Sequence, residues 1–147
     1  MDFVVDASVL LPLILSYGRG LRRVLERHVF HVLDLTPYEV CNGLWKVSVK
    51  LHRIEPVLAE RLCALVSRLI AVHMRVHSML ELDAGSVMRI ALEHGITVYD
   101  ASYIELAREE GVPVATADSD ILGVAPRLGV EAYDMDSFTK LLEEGGG

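Results

Sequence analysis

Thr97-Val98-Tyr99-Asp100-Ala101-Ser102-Tyr103-Ile104-Glu105-Leu106-Ala107 is the stretch that decides the fold. After Gly95, the run Ile96 to Val98 predicts a short strand. Ala101, Ile104 and Ala107 or Leu106 then recur at helical spacing. Asp100 stands at the junction, where an N-cap belongs. An aspartate there reads either as a cap or as a carboxylate displayed at a strand end. One position does not separate these readings; recurrence of the same situation elsewhere does.

Working outward, Val112-Pro113-Val114-Ala115 predicts a strand that ends at Thr116-Ala117-Asp118-Ser119-Asp120. Phe3-Val4-Val5 predicts a strand buried on both faces, ended by Asp6. Ser8 then precedes an apolar helical run, Val9 to Leu15. A basic, helix-patterned segment from Gly18 to His28 leads to a second strand, Val29 to Leu35. Thr36-Pro37-Tyr38-Glu39 predicts a helix start, with Thr36 as N-cap, Pro37 in the first helical position and Glu39 closing a capping box. That helix is expected to reach about Leu51.

An amphipathic helix is expected from Pro56 to about Ile70, with Leu58, Leu62, Leu65, Val66 and Leu69 on one face. Val72 to Val76 predicts a strand, Asp83 to His94 a helix capped by Gly95, Gly129 to Tyr133 a last strand, and Asp136 to Glu144 a closing helix. Residues 1–144 form one expected domain, and 145–147 a disordered glycine tail. Short apolar strands alternating with helices predict an α/β protein, a three-layer α/β/α sandwich with a central parallel sheet.

The chain has 147 residues, enough to bury a core without staples. No apolar run approaches the ~18 residues of a membrane span, and no basic signal segment precedes Val9, so a cytoplasmic location with no membrane partner is expected. Cys41 and Cys63 lack metal spacing and read as small buried hydrophobes of a reducing compartment. A net charge of −7 argues against non-specific coating of nucleic acid. It leaves open a nuclease, whose own site must be acidic to hold metal ions.

In open α/β sheets, ligands bind outside the carboxyl ends of the strands. Asp6, Glu39, Asp100 and Asp118 are all expected at that edge. Each has an ordinary reading as a turn, cap or capping-box residue. Four like charges in one cleft repel one another, and Mg²⁺ or Mn²⁺ resolves that conflict with oxygen ligands and water. Asn42 lies three residues after Glu39, on the same helix face, and is a candidate to orient it. Ser8 and Thr116, each two residues from a site aspartate, are candidate auxiliary hydroxyls. Asp120 is a candidate auxiliary carboxylate. No histidine lies near the four positions in sequence, and His73 and His77 are not expected to share a face, so a zinc site is not expected.

The order Val-Val-Asp6-Ala-Ser, Pro-Tyr-Glu39-Val-Cys-Asn42, Thr-Val-Tyr-Asp100-Ala-Ser-Tyr-Ile-Glu-Leu-Ala and Ala-Thr-Ala-Asp118 resembles the PIN-domain ribonucleases. Within them it resembles the VapC-type toxins of toxin–antitoxin pairs, over essentially the whole chain. The resemblance implies a PIN-like fold and an endoribonuclease whose acidic quartet, Asp6, Glu39, Asp100 and Asp118, binds Mg²⁺ or Mn²⁺. Metal is then held by Asp6, Asp100 and Asp118, while Glu39 helps to hold it or orients the attacking water. The basic residue usual soon after the fourth aspartate is replaced by Ser119 and Asp120.

Arg19, Arg22, Arg23 and Arg27 are candidate RNA-phosphate contacts, or simply a solvated helix face. A toxin role implies an antitoxin protein whose tail crosses the acidic cleft with an arginine. A housekeeping RNA-processing nuclease and a non-catalytic partner-binding scaffold are the alternatives. The apolar faces of the two helices after Thr36, including Leu44, Trp45, Val47, Leu62 and Leu69, predict a homodimer.

Overall fold

The computed structural model describes residues 1–145. Five parallel strands lie in the order β3-β2-β1-β4-β5: β1 Asp2–Val5, β2 Val29–Leu33, β3 Arg75–His77, β4 Val114–Ala115 and β5 Ala132–Tyr133. The first three strands build outward in one direction. The chain then returns to place β4 on the other side of β1. The order therefore switches between β1 and β4, and a crevice opens at their carboxyl ends.

Strand alternation gives the sheet two cores. Phe3 and Val5 face one side, with helices α1 (Ala7–Tyr17), α2 (Leu21–Leu25), α3 (Thr36–Trp45), α4 (Pro56–His73) and α8 (Met135–Glu144). Val4 faces the other, with α5 (Ala84–His94), α6 (Val98–Glu110) and α7 (Ser119–Val124). This is the expected α/β/α sandwich. Gly43 lets α3 approach α1, since a Cβ there would come 2.6 Å from Leu11 Cδ2.

The boundaries differ from the sequence reading at informative places. Ile96 to Val98 is not a strand. Gly95 caps α5 with a left-handed φ of 65°, and Thr97 caps α6 by accepting the Asp100 N–H at 3.1 Å. Thr97-x-x-Asp100 is a capping signature, and it outweighs three β-prone residues. Asp100 therefore sits in the first turn of α6, not at its cap. Thr36 is not a cap either: α3 begins at Thr36, and its hydroxyl turns inward. The helix expected to reach Leu51 finishes as a π-helical turn, Lys46–Lys50.

The strand expected over Val72 to Val76 is shifted, because α4 continues to His73. The helix α7, capped by Asp118, was not expected at all. Gly145 caps α8 through its N–H to the Leu141 carbonyl, while the remainder of the expected glycine tail lies outside the described residues.

Cys41 and Cys63 are half-buried and form a disulfide between α3 and α4, so the reading as reduced hydrophobes is overturned. Packing of the two helices brings their Cα atoms to 5.2 Å, within disulfide range, which sequence spacing alone does not reveal. Leu44, Leu62 and Leu69 belong to the core, whereas Trp45 is 47% exposed. Among the described residues no helix is long and apolar enough to cross a membrane.

Candidate active site

Asp6 leaves the end of β1 and caps α1, accepting the Val9 N–H at 3.3 Å. It is only 5% exposed. Ser8 donates to its Oδ1 and Thr116 to its Oδ2, both at 2.5 Å. The two hydroxyls also accept backbone N–H groups, Ser8 from Ala117 at 2.8 Å and Thr116 from Asp118 at 2.9 Å. Ser8 and Thr116 thus tie the loop after β4 to the carboxylate that ends β1. Both bond the Asp6 carboxylate rather than only their own backbone.

Asp118 begins α7 and accepts the N–H groups of Asp120 and Ile121 through Oδ1. Capping engages one oxygen only: Oδ1 serves the helix, while Oδ2 makes no such bond. Carboxylate oxygens of Asp100, Asp118 and Asp120 lie within 4.8 Å of one another. Asp100 arrives from α6 and Asp118 and Asp120 from α7, two helices that begin at the same edge of the sheet.

Glu39 reaches the edge from the first turn of α3. Its Oε1 accepts the Tyr103 hydroxyl at 2.6 Å, and the same hydroxyl lies 2.7 Å from Thr36 Oγ1. Thr36 in turn accepts the Leu33 N–H at 3.1 Å. The expected capping box is therefore replaced by a bridge to α6. A buried tyrosine hydroxyl requires partners, and Thr36 and Glu39 provide them. Tyr103 was missed in the sequence, although it lies one helical turn after Asp100 and so on the same face. Asn42, the expected partner of Glu39, is exposed and makes no hydrogen bond to it among the described residues.

The electrostatics show crowding. Burial pushes the Asp6 carboxyl up, against the hydroxyl bonds that favour its charged form, and the Asp118 charge adds to the rise. Burial also raises Glu39, opposed by the Tyr103 bond and assisted by Asp6 and Asp118. Asp100 is pushed up to about 6, first by burial and then by Asp118, with Asp120 and Asp6 adding to it. All-oxygen donors that repel one another suit a hard divalent cation, and Mg²⁺ or Mn²⁺ fits this set.

The arginines divide. Arg22 pairs with Glu26 at 3.3 Å. Arg19 and Arg22 line a groove of about 890 Å³ with Arg61, Arg68 and the leucines of α4. Arg23 is exposed on α2. Arg27 donates to the Gly145 carbonyl at 3.4 Å and lies just before β2, whose first residue pairs with Asp2. Arg27 is therefore at the amino edge of the sheet, remote from the carboxylates.

Comparison with known proteins agrees with this geometry. A family model for the PIN domain matches residues 3–126. The chain is 35% identical to Ribonuclease VapC3 of Pyrobaculum aerophilum over 131 residues, covering 87% of this chain and 98% of that protein. It is 33% identical to Exonuclease VapC9 of the same organism, covering 83% and 84%. Among solved structures, PAE2754 from Pyrobaculum aerophilum superposes with a TM-score of 0.73 at 28% identity, over 99% of this chain and 90% of that one. A toxin–antitoxin complex from Klebsiella pneumoniae shares the fold, with a TM-score of 0.52 at 17% identity, covering 83% and 92%. The carboxylates at the switch point, the sandwich around them and the matched family model make one finding: the chain belongs to the PIN-domain family.

Proposed function

We propose that the chain is a Mg²⁺- or Mn²⁺-dependent endoribonuclease, the toxin of a toxin–antitoxin pair. The observation that carries this is the convergence of Asp6, Glu39, Asp100 and Asp118 on one edge, where each raised carboxyl feels the charge of others in the set. Asp6, Asp100 and Asp118 would hold the cation, with Asp120 beside them. Such an ion supplies a Lewis acid and a bound water of lowered pKa for attack on a phosphodiester.

The chain's own residues set the geometry. Ser8 and Thr116 fix both oxygens of Asp6, so its lone pairs are aimed by the fold. Glu39 is held through Oε1 by Tyr103, which leaves Oε2 to orient a water or accept its proton. Closely placed catalytic groups held in advance lower the barrier by positioning. The VapC relatives support nuclease chemistry, and the shared fold with a toxin–antitoxin complex supports an antitoxin partner. Exposed Tyr38, Trp45 and Val49 on and after α3 support a homodimer contact.

The test is cleavage of several RNAs with Mg²⁺, Mn²⁺ or EDTA, with Asp100→Asn as control. One relative is named an exonuclease, so a circular RNA belongs in the set, because only an endonuclease opens it. No metal-dependent cleavage of any RNA, or equal cleavage by Asp100→Asn, overturns the proposal. Light scattering at micromolar concentration tests the dimer; a mass near 16.3 kDa rejects it. A small antitoxin gene beside this one separates a toxin from a housekeeping nuclease.

A further inference from the structure

A second cluster of ligating side chains lies on the Val4 face of the sheet, toward its β3 edge. Asp2 and His31 face the same side as Val4, because Val4 pairs with His31 and side chains alternate along β1. His77 ends β3 opposite Leu33, two residues beyond His31, and so projects to that side too. Glu81 follows in a 3-10 turn, Met79–Glu81, and Glu110 closes α6. Asp2 is four residues before Asp6 on one extended segment, about 13 Å away.

The contacts form a line. His31, 1% exposed, meets Asp2 Oδ2 through Nε2 at 3.1 Å. Its Nδ1 meets His77 Nε2 at 3.0 Å. The far nitrogen of His77, Nδ1, stands 3.6 Å from Glu81 and 3.9 Å from Glu110. The two rings are 20° from parallel with centroids 5.2 Å apart. With facing nitrogens 3.0 Å apart, that separation places the rings edge to edge, as in an N–H···N hydrogen bond.

Protons alone serve this line poorly. Ionised carboxylates only accept, and each neutral imidazole brings one N–H. Two imidazoles therefore fill two of the three gaps. The gaps at 3.1 and 3.0 Å have hydrogen-bond length, and with both rings neutral the tautomers that fill them have His31 donating to Asp2 and His77 donating to His31. The third gap then sets the Nδ1 lone pair of His77 against two carboxylates. At 3.6 and 3.9 Å it is too wide for a good hydrogen bond. It suits a cation with ligand bonds of about 2.0–2.2 Å.

We propose that His77 Nδ1, Glu110 and Glu81 form a second metal site, for a borderline transition dication such as Zn²⁺. A nitrogen donor with two carboxylates selects such an ion over Mg²⁺. His31 and Asp2 hold the other nitrogen of His77 in the arrangement that orients metal-bound imidazoles. One nitrogen each of His31 and His77 and one oxygen of Glu110 lie within 4.8 Å of one another, and the 61% exposed Glu81 side chain would close on His77 Nδ1 by rotation. The bound ion would tie β3, a three-residue edge strand, to the end of α6.

The test uses the full chain carrying Asp6→Asn and Asp100→Asn, so that the acidic edge does not contribute, stripped of metal with a chelator. Zn²⁺ alone is titrated by calorimetry, and Co²⁺ is followed by visible absorption. One Zn²⁺ per chain, a rise in melting temperature, and a low-coordinate Co²⁺ spectrum are expected, with no heat from Mg²⁺. His77→Gln is expected to abolish binding and Glu110→Gln to weaken it at least tenfold, with circular dichroism confirming the fold. Because Glu110 is partly exposed, its variant keeps the test decisive if His77→Gln fails to fold. Absence of Zn²⁺ heat, or Zn²⁺ binding unchanged in the folded variants, overturns the site. Neither result bears on RNA cleavage by the wild type.

Discussion

At the carboxyl edge of the sheet, Asp6, Glu39 and Asp100 are surrounded by hydroxyls and further carboxylates. At the amino edge, Asp2 meets an imidazole. Carboxyls of one chemical kind are consequently driven in opposite directions. Burial and the Asp118 charge lift Asp100 to about 6, whereas the bond to His31 lowers Asp2, with the charges of Arg75 and the N-terminus assisting. The difference teaches which cation each cluster suits: a hard ion among oxygens in one, a borderline ion beside an imidazole in the other.

The largest effect that sharpens this comparison is chemical. Asp100→Asn is expected to lower RNA cleavage more than about 100-fold, at least the loss typical of disturbing a metal site's outer partners. Single-turnover rates at saturating Mn²⁺ measure it. A smaller loss would place the chemistry away from this edge.

The next effect concerns how α3, which carries Glu39, is anchored. The disulfide Cys41–Cys63, with a sequence separation of 22, should contribute about 3 kcal/mol by limiting the unfolded chain. Thermal unfolding with and without a reductant reads it directly, and a Cys41→Ser/Cys63→Ser variant should match the reduced protein.

Tyr103→Phe removes the hydroxyl shared by Glu39 and Thr36 and should destabilise by about 1–3 kcal/mol, since both partners are left short. It should also reduce kcat more than KM, because Glu39 loses its orientation while the RNA surface is unchanged.

The smallest effect separates two aspartates of one site. Asp100→Asn should stabilise the metal-free protein by about 1 kcal/mol once solvent screening is allowed for, a few degrees in Tm. Asp6→Asn should not, because Asp6 accepts hydroxyl protons at both oxygens and an amide accepts at only one. The sign with pH follows from linkage. The folded Asp100 holds its proton to about 6 against an ordinary value of 3.8, so between those values the native state binds more protons than the unfolded one. Metal-free stability should therefore fall as pH rises from 4 to 6, and Asp100→Asn should flatten that slope. Denaturant midpoints across this range decide it.

The chain itself determined the layered fold and the placement of four carboxylates at strand ends and first helical turns. Phe3-Val4-Val5 is apolar throughout because both faces of its strand are covered, and Asp6 ends it because a carboxylate there meets the open crevice. Asp6, Glu39, Asp100 and Asp118 were legible because each stands at the start of a helix or the end of a strand, and such places are marked by local residue patterns. The capping of α6 by Thr97 was also written locally, and was obscured only by the β-prone residues around it.

What the tertiary structure decided involves partners far apart in sequence. Tyr103 meets Glu39 across 64 positions, Thr116 meets Asp6 across 110, His31 meets His77 across 46, and Cys41 joins Cys63 across 22. No spacing encodes these pairs, because helix and strand periodicities fix only which face a residue occupies. Which faces meet, and hence which hydroxyl orients a carboxylate and which imidazole faces another, is set by how the layers pack.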